Sequence, residues 1–260
     1  MRDHGIHELA TIGFGRAVDE YERARPGYPS EAVAWLVDRL KIESSKAVLD
    51  LAAGTGKLTR QLIPTGASIV AVEPVAEMRA RLERELPGVD VLDGTAEEIP
   101  LPDSAVDAVA VGQAFHWFAN ERALTEIHRV LRPGGRLGLI WNARDESAAW
   151  VARLTEIIEP HRGDVPRYVS RRWERAFATT TLFEPLEERQ FPFAHELDGE
   201  TLAARVASIS FVAALPPEQR ERVLADVRQL AATHPELRGK ATFPLPYRTA
   251  AFVTERLGQT

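Results

Sequence analysis

The feature that most limits how this chain can fold is an alternation of short apolar runs with stretches of helical spacing, starting at Ala47. Ala47-Val48-Leu49-Asp50-Leu51 is an apolar run that stops at a turn of small residues, Ala52-Ala53-Gly54-Thr55-Gly56, and Lys57 to Ile63 reads as the start of a helix. Ser68 to Val72 is a second run, closed by Glu73-Pro74, with Val75, Met78, Leu82 and Leu86 following at helical spacing. Val89 to Leu92 is a third run and Val106 to Val111 a fourth. Asn120 then caps a helix with Leu124, Ile127, Val130 and Leu131 on one face. Pro133-Gly134-Gly135 ends that helix and turns the chain into a fifth run, Arg136 to Trp141. Strands separated by helices pair in parallel, and runs that are apolar throughout are covered on both faces. The expectation is an α/β fold with a doubly wound sheet. Ligands in such sheets sit beyond the carboxyl ends of the strands, where the strand order reverses. That rule selects Asp50–Lys57, Glu73, Asp93–Glu97, Gly112–Trp117 and Trp141–Asp145.

Past residue 145 the alternation lapses. Ser147 to Ile158, Thr201 to Val212 and Pro217 to Thr233 read as helices. Glu187 to Phe193 and Ala241 to Val253 read as strands, which Pro192, Pro244 and Pro246 confine to sheet edges or irregular ends. The expected organisation is a single domain of 260 residues: an N-terminal helical segment over 1–30, a ligand-binding core over 31–145, and a second part over 146–260 that completes the sheet and adds a helical cap.

Composition excludes several classes of function. The chain has no cysteine, which removes disulfides, thiolate zinc sites and a cysteine nucleophile. With 32 Lys+Arg against 38 Asp+Glu the net charge is −6, which argues against a mainly electrostatic nucleic-acid binder. No stretch approaches the ~20 apolar residues of a membrane span. Met1 to Ala10 carries no apolar core behind a basic start, so no secretory signal and a cytoplasmic location are expected. His4 and His7 have no third ligand nearby, so no metal site is read.

The turn after the first strand carries the chemistry. A dinucleotide fingerprint centred on Gly54 wants glycine at 52, 54 and 57, where this chain has Ala52, Gly54 and Lys57. A phosphate-binding loop wants Gly-Lys followed by Ser or Thr, but Gly56-Lys57 is followed by Leu58. Val48 to Gly56 instead resembles the first motif of class I S-adenosylmethionine-dependent methyltransferases, with Ala52 in place of the usual first glycine. The residues at the other strand ends resemble the same family in order. Leu131-Arg132-Pro133-Gly134-Gly135 also matches it, as a structural turn.

The resemblance implies a Rossmann-like sheet, mostly parallel with an antiparallel last strand, plus a helical lid. It implies S-adenosyl-L-methionine as cofactor and S-adenosylhomocysteine as product. Asp50, Ala52, Gly54, Thr55 and Gly56 would hold the methionine part, and Glu73, beside Pro74, would accept the ribose hydroxyls. Met78 would lie against adenine, with Asp93, Gly94, Thr95, Ala96 and Glu97 at the base edge. Gln113 belongs to the cofactor set. Phe115, His116, Trp117, Trp141 and Asn142 would line the acceptor pocket, with His116 as a candidate general base. Gly112-Gln113-Ala114-Phe115 departs from the Asp/Asn-Pro-Pro-aromatic motif of DNA amino-methyltransferases, which counts against that chemistry.

Tyr21 and Arg25-Pro26-Gly27-Tyr28-Pro29 resemble a segment of small-molecule methyltransferases related to trans-aconitate methyltransferase. Phe14, Ala17, Val18 and Tyr21 share one helical face there. In that group Tyr21 and Tyr28 would wall the methionine part and Arg25 would meet its carboxylate. Arg162, Arg167, Arg171, Arg172 and Arg175 form a basic run, read as a solvated helix face. Ser208 to Phe211 is placed to line the acceptor cavity. The expected activity is methyl transfer to a small molecule, with O-methylation of a carboxylate or hydroxyl foremost, by a monomer or homodimer with no nucleic-acid or membrane partner. A non-catalytic cofactor-binding or assembly protein of the same fold is the alternative, because fold does not fix function. A nicotinamide oxidoreductase is a third reading, weakened by the broken dinucleotide pattern.

Overall fold

A computed structural model describes residues 25–258. The N-terminal face of Phe14, Ala17, Val18 and Tyr21, and the pair His4 and His7, lie outside the described residues. Helix α1 spans Ser30–Leu40 and leads into β1, Ala47–Leu51. Then come α2 (Lys57–Leu62), β2 (Ser68–Val72), α3 (Ala76–Glu85), β3 (Asp90–Leu92) and β4 (Val106–Gly112). A short 3-10 turn, Phe115–Trp117, precedes α4 (Glu121–Val130) and β5 (Leu131–Arg144). The remainder is α5 (Ala149–Ile158), α6 (Arg175–Thr179), β6 (Glu187–Leu197), α7 (Gly199–Ala207), α8 (Ser210–Ala213), α9 (Pro217–Thr233) and β7 (Phe243–Glu255).

The strands form one seven-stranded sheet in the order β3-β2-β1-β4-β5-β7-β6. The pairs β1–β2, β1–β4, β2–β3 and β4–β5 are parallel. The last strand reverses: Arg256 N donates to Gly135 O at the start of β5, and Asp145 N donates to Pro246 O past its end. The fold is therefore a Rossmann-like doubly wound sheet, mostly parallel, with an antiparallel last strand. The order reverses between β1 and β4, which places the carboxyl ends of those two strands at the expected ligand crevice.

The described residues divide into two compact units, one of residues 27–143, 166–191 and 249–258, the other of 25–26, 144–165 and 192–248. In the first unit, alternate strand residues face opposite layers. Leu49, Leu51, Val109, Val111, Leu137, Leu139 and Trp141 pack with Ala123, Leu124, Ile127 and Val130 of α4. Val48, Ala108, Ala110 and Ile140 pack on the other face with Leu36 and Leu40 of α1 and Leu58 and Leu62 of α2. Ala71 of β2 meets Leu82 and Leu86 at α3. In the second unit the core joins Trp150, Val151 and Leu154 of α5, Leu202 and Val206 of α7, Val223 and Val227 of α9, and Phe243, Leu245 and Tyr247 of β7.

Two expectations change in detail. The Pro133-Gly134-Gly135 turn is a bulge inside β5: Val106 pairs with Leu131, and the ladder resumes at Ala108 with Arg136. Strand β7 is interior, with Pro244 and Pro246 in its first residues, and of the two C-terminal strands β6, with Pro192, is the edge. Among the described residues no helix is long and apolar enough to cross a membrane, and no group of three His, Cys, Asp or Glu side chains is placed to hold a metal ion.

Candidate active site

Asp50 lies on the same face of β1 as Val48, so its side chain points toward α2 rather than to solvent. It is wholly buried, and Thr59 Oγ1 donates to its Oδ2 at 2.5 Å. Its Oδ1 has no hydrogen-bond partner among the described residues. Burial pushes the carboxyl up to about 7, against the opposing Thr59 hydrogen bonds. The turn that follows carries three residues in the left-handed region: Ala52 at φ 56, Gly54 at φ 59 and Gly56 at φ 83. Ala53 N donates to Val72 O, tying the turn to β2, and Thr55 is buried.

Glu73, at the end of β2, is 4% exposed and reaches back to that turn. Gly54 N donates to its Oε2 at 2.8 Å and Val75 N to its Oε1 at 2.9 Å. Burial raises its carboxyl, with the two backbone donors pulling the other way. Each oxygen has used one acceptor position, and an ionised carboxylate offers about four. Two buried carboxylates thus flank one small-residue turn, both with acceptor capacity left over.

Beyond β3, Asp93 is exposed and paired with Arg79 Nη1 at 2.9 Å, and the same guanidinium donates to Glu73 O at 2.8 Å. Thr95 and Glu98 form an isolated antiparallel bridge, Ala96 is buried, and Glu97 Oε1 accepts from Asn120 Nδ2. Met78 is buried, and its sulfur is the nearest atom, at 3.8 Å, to where a Cβ on Gly54 would stand. Methionine, glycine turn and Glu73 are therefore brought together.

At the end of β4, Gln113 adopts φ 61, donates its backbone N–H to Ile140 O and its Nε2 to Asn142 O. Tyr28 is buried against this end, its hydroxyl 2.5 Å from where a Cβ on Gly112 would stand. Gln61 holds the Tyr28 backbone from both sides, accepting from its N–H and donating to its carbonyl. His116 is half-buried, with Trp141 Nε1 donating to its Nδ1 at 3.2 Å, and the Trp117 ring lies 5.5 Å away.

Three side chains expected at the pocket are packed or hydrogen-bonded within the unit. Phe115 is wholly buried against Phe118, Trp173 and Phe177, and Trp141 against Tyr168, Trp173 and Phe252. Asn142 donates to Gly27 O and accepts from Thr249 Oγ1, so both ends of its amide are engaged internally. Tyr21 lies outside the described residues. Arg25 belongs to the other unit, where it donates to Ser208 O at 2.7 Å and to Ser208 Oγ at 3.2 Å. Sequence reasoning missed Thr59, Arg79 and Gln61, which orient Asp50, Glu73 and Tyr28.

Residues 49–139 match the sequence family described as the methyltransferase domain. The chain is 46% identical over 242 residues to an uncharacterised methyltransferase of Mycobacterium tuberculosis, spanning 92% of this chain and 93% of that one. It is 40% identical over 244 residues to a methyltransferase-like protein of Schizosaccharomyces pombe, spanning 94% and 95%. Among solved structures, a protein of Anaeromyxobacter dehalogenans proposed to be a type II methyltransferase matches with TM-score 0.63 at 23% identity, over 90% of this chain and 97% of that one. The [4+2]-cyclase SpnF matches with TM-score 0.55 at 17% identity, over 91% and 84%. At those identities the structures speak for the fold alone. The long relatives speak for more, and with the glycine turn between two buried carboxylates they place this chain in the class I S-adenosylmethionine-dependent methyltransferases.

Proposed function

We propose that this chain binds S-adenosylmethionine at the Asp50–Glu73 turn and transfers its methyl group to an oxygen of a small acceptor. The observation that carries the reading is the pair of buried carboxylates around Gly54, with Asp50 Oδ1 lacking a partner among the described residues. The residues fit the group. Glu73 takes the ribose hydroxyls, and Asp50 balances the ammonium of the methionine part. Met78 lies against adenine, and the Asp93–Glu97 segment meets its edge. Gln113, Tyr28 and the Phe115–Trp117 turn complete the wall at the end of β4. When bound, the cofactor supplies a methyl group already activated by its sulfonium. What is left to the protein is to hold an acceptor lone pair in line with the methyl carbon and to exclude water.

Calorimetric titration of S-adenosylhomocysteine, with NAD as the control ligand, tests this. The expected result is micromolar or tighter binding, about −8 kcal/mol, and none for NAD. Glu73→Gln keeps the size of the side chain but turns one acceptor into a donor, and should weaken binding about tenfold or more. No binding by the folded wild-type protein overturns the reading; unchanged affinity in the variant overturns the site assignment.

A further inference from the structure

We propose that a second copy of this chain docks, about a two-fold axis, on the face formed by the turn after α2, the start of β2 and the link from α3 to β3. Ile63 of each copy seats in a hollow of the other.

The face lies at the amino ends of β2 and β3, away from the carboxyl ends that carry the candidate active site. A hollow of about 370 Å³ opens there, walled by Ile63, Ala67, Ile69, Leu86, Pro87 and Val89. Walls of that kind favour an apolar occupant over water. β3 is the last strand on this side of the sheet, so among the described residues no further strand covers the face. Ile63 and Val169 are the large hydrophobic side chains left exposed among the described residues, and Ile63, 42% exposed, stands on the rim of the hollow. Its support is stiff. The 3-10 turn Ile63–Thr65 contains Pro64, Gly66 N donates to Ile63 O, and Thr65 Oγ1 donates back to Leu62 O. A knob held in this way has little freedom to lose on docking.

Charge selects the occupant. Glu85, also at the hollow, is held by Arg81 at 2.8 Å and meets Arg60 at 3.4 Å. The Arg60 and Glu85 side chains are 42% and 36% exposed, so their pairing in water is loose and contributes little. One face therefore carries a knob, a hollow, a cation and an anion. A two-fold interface needs each feature and its complement on the same patch, because residue i of one copy meets j of the other while j meets i. Laid inverted on itself, this face puts Ile63 over the hollow, Arg60 opposite Glu85 and Glu85 opposite Arg60. A uniformly acidic or uniformly basic partner would set one of these two charges against its like. The patch is smaller than the surface a permanent dimer buries, so the association is reversible and depends on concentration.

Sedimentation velocity of the intact chain over a range of concentrations tests this, with thermal unfolding followed by circular dichroism to show that each variant is folded. Wild type should pass from monomer to dimer as its concentration rises. Ile63→Glu places a charge on the knob. Gly88→Gln fills the hollow without straining the fold, since Gly88 lines it, lies outside the left-handed region, and a Cβ there would meet nothing within 4 Å. Each should raise the dimer Kd about tenfold or more. Arg60→Glu and Glu85→Arg should also raise it, because each sets like charges together on both sides of the axis. Mixed in equal amounts, those two variants should recover the wild-type association, since each copy then offers the charge that the other lacks. That recovery separates a pair made between copies from the pair within one chain. A wild-type chain that stays monomeric at every concentration overturns the proposal and leaves the hollow to an apolar small molecule or a different protein. A dimer that none of the variants weakens overturns it as well, and so does a mixture that associates no better than its two components.

Discussion

Asp50 is the residue at which local chemistry is most exposed to measurement. Its carboxyl rises from 3.8 to about 7 because it is buried, and Thr59 satisfies only one of its oxygens. The folded value lies above the unfolded one, so the unfolded chain releases this proton first as pH rises. The stability that the protonated group contributes is complete below about pH 4 and is lost as pH rises toward about 7, with no further change above. Asp50→Asn should abolish that slope, as read by urea midpoints across the interval. A bound ammonium group favours the ionised carboxylate, so S-adenosylhomocysteine binding should tighten as pH rises through 7 and should release a proton. Calorimetry in buffers of different ionisation enthalpy detects that release, and the Asn variant should lack it. Asp50, Gly54 and Glu73 were legible in the sequence because strand ends and small-residue turns announce themselves locally. Thr59, Arg79 and Gln61 were not. Each matters only through a partner, Asp50, Glu73 or Tyr28, and such pairings exist only once helices are laid on the sheet.

At the scale of elements, the link from β1 to α2 depends on Gly56. It holds φ 83, and a Cβ there would lie 3.0 Å from Leu82 Cγ and 3.1 Å from Leu86 Cδ1, so α3 packs directly on the turn. Gly56→Ala combines left-handed strain with overpacking and should cost about 1–3 kcal/mol. A lowered urea midpoint with an unchanged slope would register it. The same variant should lose cofactor affinity, because Gly54 N belongs to the same turn. Helices α3 and α4 followed from apolar spacing, and α4 from its cap as well, where Asn120 accepts from Ala123 N. Helix α1 was not anticipated. Its Ala32, Val33, Leu36 and Leu40 do lie on one face, but it precedes the first strand and falls outside the alternation that guided the reading. Strand β5 begins at Leu131, earlier than its glycines suggested, because a bulge lets Pro133 to Gly135 leave the ladder without ending it.

For the whole molecule, ligand binding should appear as stability. A ligand that binds only the folded chain stabilises it by about 2.7 kcal/mol at a hundredfold excess over its Kd. S-adenosylhomocysteine should therefore raise Tm by several degrees in a chain of this size, and Glu73→Gln should shrink the shift at the same concentration. An equal shift in wild type and variant would count against the placement of the site. The five parallel strands, the strand ends that face the ligand and the methyltransferase class all follow from the sequence, because period and turn chemistry are written in neighbouring residues. What required the folded chain was the seating of β7 in the interior of the sheet, the packing of Phe115 and Trp141 among the aromatic rings, and the hold of Gln61 on Tyr28. The reason is common to all three. Each is settled by which groups meet across long separations in sequence, and a strand's neighbour, a ring's burial and a backbone's hydrogen-bond partner have no local signature until those groups are packed together.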